Sequence, residues 1–404
     1  MKLTEMPVFG NMQGIRVIGT GTSIAGPVAC SLFAEQGADV IQIESTKAPD
    51  LVRSIGDIWS VEHRNNRTIA LNIRSAEGDE ILRKLLATSD ILIEGSKGGT
   101  WDKWGLSDEA LWLINPKLVI VHISGYGQTG DPEYVSRASY DPIGQAFSGF
   151  MVTQGEPAPR PPVIIKPYTC DYITAIFASW AASVALFNAN RTGKGESVDV
   201  AQYEVMVRIQ ADYLTNGLNY GIQAPRMGIY GNDVVALPNV QICGDGNYVI
   251  TAIGGVRNFR ILERLLGLEG DPDFAEPHAV INKSHGPRAE KIVKAMTDFC
   301  MAHSAEEVND ILNEHQLPCS VIMTYEMMAR NSHYEARGTF TSWYDPIKDR
   351  ELKGVNTIPF FKNNPSRIFR GGPVYGADND DILEELGYSA ADIDAMYEKE
   401  VLKK

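Results

Sequence analysis

Asp171 is the residue of this sequence best placed to do chemistry. It sits in Lys166-Pro-Tyr-Thr-Cys-Asp-Tyr172, just ahead of Ile173–Phe187, a run that is nearly all apolar, Ala-rich and free of Pro and Gly. That composition specifies a helix buried on most of its circumference. Asp171 stands where the helix begins, where unpaired N–H groups and the positive end of the dipole favour an ionised carboxylate. A carboxylate so held is either an N-cap, the commoner use of Asp, or a nucleophile. The adjoining Cys170 reads as small buried filler. A second group is cationic: Arg74, Lys97, Lys103 and Arg137, with Lys166 near Asp171. Several cations on one edge of an acidic protein suit a multiply phosphorylated ligand, whereas any one of them alone is an ordinary solvated charge. The His/Glu helix spacing of zinc hydrolases, a clustered Cys/His set, a Gly-Lys-Ser/Thr phosphate loop and Gly-x-Ser-x-Gly do not occur, which disfavours those chemistries.

Positioning these residues falls to alternating strands and helices. Gly14–Gly19, Ala38–Glu44, Thr68–Ile73, Asp90–Glu94, Lys117–Ile123 and Glu196–Val200 are predicted strands. Helices are predicted from Ile24 to Gln36, over Ala76–Ala87 with Ser75 as cap, over Ser107–Asn115, and from Ala201 to about Leu214. Near-continuous apolar strands joined by helices give an α/β fold, a doubly wound and mainly parallel, Rossmann-like sheet. Its ligands sit beyond the carboxyl ends of the strands, so the loops after Gly19, Glu94 and Ile123 form the working edge. The third of these, Ser124–Gly130, carries three glycines and can bring backbone close to a ligand, or be a plain surface loop. Gly19-x-Gly21 lacks the third glycine of a dinucleotide fingerprint, and no nicotinamide site is expected from it.

From Gly221 the texture changes, and two domains are expected, as the length also suggests. Residues 1–220 with 376–404 form the large domain, 221–235 a linker, 236–334 a smaller α+β domain and 335–375 a second linker. The smaller domain contains a hairpin, Asn239–Ile242 and Tyr248–Ile253 around Gly244-Asp-Gly246, and helices near Val256–Leu266, Arg288–His303 and Ala305–His315.

The chain has 37 Lys and Arg against 51 Asp and Glu, a net charge of −14. That balance disfavours nucleic acid and anionic membranes as partners. Five scattered cysteines without a Cys-x-x-Cys pair point to reduced thiols in a cytoplasmic protein. The amino-terminal residues lack the apolar core of a signal peptide, and no apolar run is expected to span a membrane.

Several segments resemble the class III (CaiB/BaiF-type) coenzyme A transferases, of which the carnitine CoA-transferases are one branch. They are GIRVIGTGTSIAGPVACSLFAEQGADVIQIE, NNRTIALNIRSAEG, NPKLVIVHISGYGQ, TGKGESVDVAQYE and KNNPSRIFRGGPVYGADNDDILEELGY, so the likeness spans essentially the whole chain. SGYGQTGDPEYVSRASYDPIGQAFSGF is more similar to the bile-acid branch, while FGNMQGIRVI and KPYTCDY are more similar to the carnitine branch. The resemblance implies Asp171 as the nucleophile. It implies CoA contacts at Ser23, Ile24, Ala25, Leu71, Arg74, Lys97, Lys103 and Arg137, and oxyanion donors at Gly254 and Gly255. Ser45 stands where many members carry Arg, and Gly95-Ser96 where many carry Asn-Phe, so adenine and ribose contacts differ; Lys47 offers a replacement cation.

The implied activity is CoA transfer from an acyl-CoA donor to a small carboxylic acid through an aspartyl-CoA thioester, with CoA as substrate and neither a resident cofactor nor a metal. The acids expected are of the carnitine, crotonobetaine or γ-butyrobetaine type, bile acids being the alternative, with Tyr203, Tyr213, Tyr220, Trp59 and Trp101 as candidate walls. The implied assembly is an interlocked ring homodimer. Two further alternatives are an α-methylacyl-CoA racemase, for which His122 is the candidate proton-transfer partner, and a non-catalytic CoA-binding protein.

Overall fold

The structure, a computed structural model, describes residues 1–231, 237–275 and 287–404. It separates into two compact units. The first comprises Met1–Phe150, Ile164–Asn216 and Glu335–Lys404, and the second Met151–Val163 and Gly217–Tyr334.

In the first unit, β1 (Arg16–Gly19), β2 (Asp39–Glu44), β3 (Arg67–Ala70), β4 (Ile91–Glu94), β5 (Val119–Ser124) and β6 (Ser197–Ala201) form one sheet in the order β3-β2-β1-β4-β5-β6. Every pairing in it is parallel. β1 to β5 are inaccessible on both faces, save the half-buried Arg16, because successive side chains point to opposite layers and each layer is covered. Val17, Val40, Ile91, Ile93, Val119 and Val121 face a layer made by helices Ala25–Ala34 and Thr169–Thr192. Ile18, Ile41, Ile69, Leu92 and Ile120 face the other, which holds helix Ala76–Ala87 and the carboxy-terminal helices Asn379–Glu385 and Ala390–Glu398. Winding runs from β1 outward to β3 and then restarts at β4 on the other side of β1. The switch point between β1 and β4 is where such sheets open a crevice.

The long helix Thr169–Thr192 buries Ala175, Ala178, Ala182, Ala185 and Ala189, a three-four spacing of small side chains that lets it lie close to helix Ala25–Ala34. Its opposite side is not covered: Ile176, Trp180, Val184 and Phe187 are exposed. The helix is therefore half covered, not buried on most of its circumference. By length and composition alone it could cross a membrane, contrary to the expectation from the sequence, but its alanine face belongs to the core of this unit.

Three further differences concern connections. The helix expected from Ala201 to Leu214 is two helices, Gln202–Arg208 and Ala211–Tyr220, broken where Ala211 takes a φ of +49°. Residues 335–375, expected as a linker, belong to the first unit and contain an antiparallel hairpin, Phe340–Asp345 with Arg350–Val355. Met151–Val163, expected in the large domain, belongs to the second unit.

The second unit has a three-stranded antiparallel sheet of Val240–Ile242, Tyr248–Thr251 and Cys319–Val321, packed on helices Val256–Leu265, Pro287–Met301 and Ala305–Glu314. The hairpin turn has Gly246 at φ +81°, a conformation that glycine adopts without strain. The third strand was not anticipated from the sequence. Residues 232–235 of the expected linker, and residues 236 and 276–286 of the expected smaller domain, lie outside the described residues.

Candidate active site

At the switch point the loops after β1, β4, β5 and β6 enclose a cavity of about 200 Å³. Thr22–Gly26 comes from the first loop, Gly95–Lys97 from the second, Ile123–Gly125 and Arg137–Tyr140 from the third, and Gln202 from the end of β6. Asp171 completes the lining. Gly95 allows two of these loops to touch, since a Cβ there would stand 3.0 Å from the Gly21 Cα.

Asp171 is not the helix cap. The N-cap is Tyr168, held at φ +37°, and Asp171 is the third residue of the helix, still within the first turn where the dipole favours a negative charge. It is only 6% exposed. Gln202 Nε2 donates to its Oδ1 at 2.5 Å, and Oδ2 has no hydrogen-bond partner among the described residues. A second buried carboxylate, Asp141, lies alongside. Its Oδ1 accepts the Cys170 N–H at 2.9 Å, one of the helix's unpaired donors, and its Oδ2 accepts from Gln145 Nε2 at 2.6 Å. Gln145 in turn clasps Ile165, donating to its carbonyl at 3.0 Å and accepting its N–H at 3.1 Å. Burial first, and then the charge of Asp141, push the Asp171 carboxyl up to about 7, with the Gln202 hydrogen bond pulling the other way. No ion pair forms at Asp171 among the described residues. A buried carboxylate left without an ion pair beside a cavity is a candidate for the reacting group.

Cys170 is poorly suited to attack. Burial, then the Asp171 and Asp141 charges, push its thiol up to about 12, and Sγ lies 3.6 Å from the Gln202 carbonyl oxygen. Gly144 makes this junction possible, because a Cβ at that position would come within 2.6 Å of Cys170 Sγ.

Glu94 and His122 brace the cavity from behind. Glu94 Oε2 accepts the Ser96 N–H at 2.6 Å, and Oε1 lies 2.7 Å from His122 Nδ1. His122 Nε2 lies 3.0 Å from Asp108 Oδ1. Burial opposes the imidazolium charge, but the hydrogen bonds to Asp108 and Glu94 prevail and raise His122 to about 9. With both ring nitrogens engaged, His122 has none free to move a substrate proton, which weakens the racemase reading.

Of the residues singled out from the sequence, the fold gathers Ser23, Ile24, Ala25, Lys97, Arg137 and Asp171 around one cavity. Ser23 has φ +69° and donates its N–H to Asp50 Oδ2 at 2.9 Å. Arg137 is ion-paired with Glu133 and lies over the Tyr134 ring. Leu71, Arg74 and Lys103 are not in the lining. Leu71 is core, bridging to Leu402. Arg74 is exposed with its guanidinium 4.8 Å from the centre of the Trp104 ring, and Lys103 is the exposed last residue of the short helix Thr100–Lys103. Gly254 and Gly255 are exposed in the second unit, with Gly255 immediately before helix Val256–Leu265. The sequence reasoning missed Gln202, Asp141, Gln145 and Glu94. Gln202 was within reach of it, as a polar residue at the carboxyl end of a predicted strand.

The model of CoA-transferase family III matches residues 12–379. The bile acid CoA-transferase BaiK of Clostridium scindens is 41% identical over 402 residues, spanning 97% of this chain and 89% of that protein. The chain belongs to CoA-transferase family III. The transferase also superposes on a CaiB/BaiF family protein from Brucella suis with a TM-score of 0.80 at 28% identity, over 94% of this chain and 100% of that one. Rv3272 of Mycobacterium tuberculosis shares the fold, with a TM-score of 0.76 at 21% identity over 92% and 99% of the two chains. The family makes the transferase an enzyme that takes a CoA thioester as substrate.

Proposed function

We propose that the transferase carries CoA on Asp171 between two carboxylic acids, and that the acids are bulky and apolar, of the bile-acid class. The observation that carries the first part is the buried Asp171 carboxylate, free of any ion pair among the described residues and held at a cavity by one amide. Asp171 Oδ2 attacks the donor thioester carbonyl and expels the CoA thiolate, giving a mixed anhydride. The thiolate adds to the aspartyl carbonyl and the donor acid departs, leaving aspartyl-CoA. The acceptor carboxylate attacks that thioester and releases the thiolate, which then takes the acceptor's acyl group and frees Asp171. A cavity of about 200 Å³ suits the thioester end of the substrate and little bulk water, which would hydrolyse the anhydride. The nucleotide end then lies outside, with Lys97 and Arg137 at the rim and Arg74, Lys103 and the backbone near Leu71 further out.

For the acid, support comes from the 41% identical relative, which is named for bile acids. A trimethylammonium acid would want facing aromatic walls or a carboxylate at its cation. Among the described residues the cavity lining offers one aromatic ring, Tyr140, and no carboxylate besides Asp171. The nearby Tyr126, Tyr134, Phe147 and Tyr203 pack edge-on or tilted against one another, with centroids 5.0–6.2 Å apart, and leave no slot between them. A homodimer is part of the proposal, supported by the exposed stripe Ile176, Trp180, Val184 and Phe187, which a second copy would cover.

The test is incubation with acyl-CoA alone, followed by intact-protein mass spectrometry. The protein should gain one CoA less water, hydroxylamine should convert the adduct to a hydroxamate at Asp171, and Asp171→Ala should lose transfer while binding CoA within a few-fold of wild type. An adduct on Cys170, or none from an active preparation, would overturn the assignment. A panel of free acids as acceptors separates sterol from trimethylammonium acids.

A further inference from the structure

We propose that Gln202 is a catalytic residue, whose side-chain amide holds Asp171 Oδ1 and stabilises the negative charge that gathers there whenever the aspartyl carbonyl is attacked. This rests on the reading of Asp171 as the CoA carrier.

The amide is oriented by its surroundings. Gln202 Oε1 accepts the Ser139 hydroxyl at 3.3 Å, so Nε2 is the end that faces the carboxylate; the flipped amide would set two acceptors against each other. Its backbone is held as well, because its carbonyl oxygen accepts from Cys170 Sγ at 3.6 Å. Gln202 is buried at the first turn of a helix that starts directly after β6, on the same sheet edge as the cavity it lines. The donor is thus held in place before any substrate arrives, the condition under which a hydrogen bond contributes most to a transition state.

The oxygen it touches is the one that must bear charge. Once Oδ2 is bonded to the donor acyl carbon, Oδ1 is the remaining carbonyl oxygen of Asp171. Thiolate addition forms the S–C bond and moves the C=O π pair onto Oδ1. Collapse returns that pair and breaks the bond to Oδ2, which leaves as part of the donor carboxylate. In the second half-reaction an acceptor oxygen adds to the same carbon, the pair again moves to Oδ1, and the thiolate leaves. Gln202 transfers no proton in either half. One amide therefore serves both directions of the exchange.

The experiment compares wild type with Gln202→Met, close in volume, and Gln202→Glu, matched in shape but lacking the amide donor. Two things are measured: the rate at which the CoA adduct forms on Asp171 from acyl-CoA alone, and the pH profiles of kcat and kcat/KM. Both variants should form the adduct about 100- to 1,000-fold more slowly, with KM for acyl-CoA within a few-fold of wild type. The acid limb of kcat/KM should move above about 7, because the lost hydrogen bond was the contact lowering the Asp171 pKa. The rate loss should persist above that limb, where Asp171 is fully ionised; a loss confined to the limb would mean that Gln202 only sets the Asp171 pKa. Wild-type adduct rates in either folded variant, or slow variants whose acid limb stays in place, would overturn the assignment of Gln202 alone. Failure of the wild type to form an adduct would overturn the reading of Asp171 and this one with it.

Discussion

At the amino ends of β1, β2 and β3, the sheet buries Arg67 with no exposed surface, and answers it fully. Asp39 takes it in a two-pronged contact at 2.9 and 2.8 Å, Glu385 takes a third N–H at 2.8 Å, and Arg16 adds a second cation to Asp39 at 2.7 Å. At the carboxyl ends of β4, β5 and β6, the same sheet buries Asp171 beside Asp141 and meets them with amides and a backbone N–H group, and neither carboxylate has an ion pair among the described residues. Both ends bear the desolvation cost of charge. Only the first recovers it through ion pairs within the folded protein, and the second, the edge of the proposed reaction, does not. Balance marks the structural edge and imbalance the working one.

The comparison can be broken most severely at its balanced end. Arg67→Met would leave Asp39 and Glu385 short of a partner and should lower unfolding stability by roughly 3–5 kcal/mol, read by urea denaturation. A change near zero would mean that the network is not what holds those strands.

At the unbalanced end the sign reverses. The carboxyl of Asp171 is raised to about 7 in the folded protein, above its ordinary value. The folded state therefore favours the protonated form, and the stability this gives at low pH is lost as pH rises through about 7. Asp171→Asn should therefore be more stable than wild type at pH 8, by on the order of 2–4 kcal/mol, and the gain should vanish towards pH 4. Thermal unfolding across that range checks it. With Asp171 in its proposed role as nucleophile, the same ionisation governs attack, so wild-type kcat/KM should fall as pH drops below about 7.

His122 stands between the two cases, a charge at the working edge that is balanced. Its folded value is raised to about 9, so its stabilisation is full below the ordinary histidine value and disappears as pH rises through about 9. His122→Gln should cost on the order of 2 kcal/mol at pH 6 and almost nothing at pH 10, measured by denaturation at the two pH values. A pH-independent loss would show that packing, not charge, is what His122 contributes.

The smallest expected effect is at the cavity rim. Lys97 is exposed and forms no ion pair among the described residues, whereas Arg137 is already engaged by Glu133. Lys97→Ala should raise KM for acyl-CoA by about tenfold, roughly 1.5 kcal/mol, with the difference shrinking as salt rises. Arg137→Ala should raise it less. Equal effects would mean that the Glu133 pair opens when CoA binds.

The sheet was legible because parallel strands buried on both faces must be almost wholly apolar, as Val119–Ile123 is but for His122. Asp171 was legible because it interrupts the polarity pattern at a helix start. Its supports were not: Asp141 and Gln202 lie 30 residues before it and 31 after it, and only the crossover connections bring them together. Arg74 and Lys103 matched the resemblance by position, yet the fold places them outside the cavity, since sequence order fixes which loop a cation joins but not how far its side chain reaches. The break at Ala211 had no Gly or Pro to announce it, and the strand Cys319–Val321 is three residues long, below what periodicity resolves.

Gly144 carries a consequence for how this site could be altered. Three helices, Asp141–Phe147, Thr169–Thr192 and Gln202–Arg208, meet where its missing side chain would be. Every other amino acid brings a Cβ, so no replacement at this position is conservative: even alanine must displace the Cys170 sulfur, next in the chain to Asp171. The working geometry is set here by an absent atom. Engineering of acid selectivity has free range around the rim of the cavity, but finds a fixed point at this one glycine.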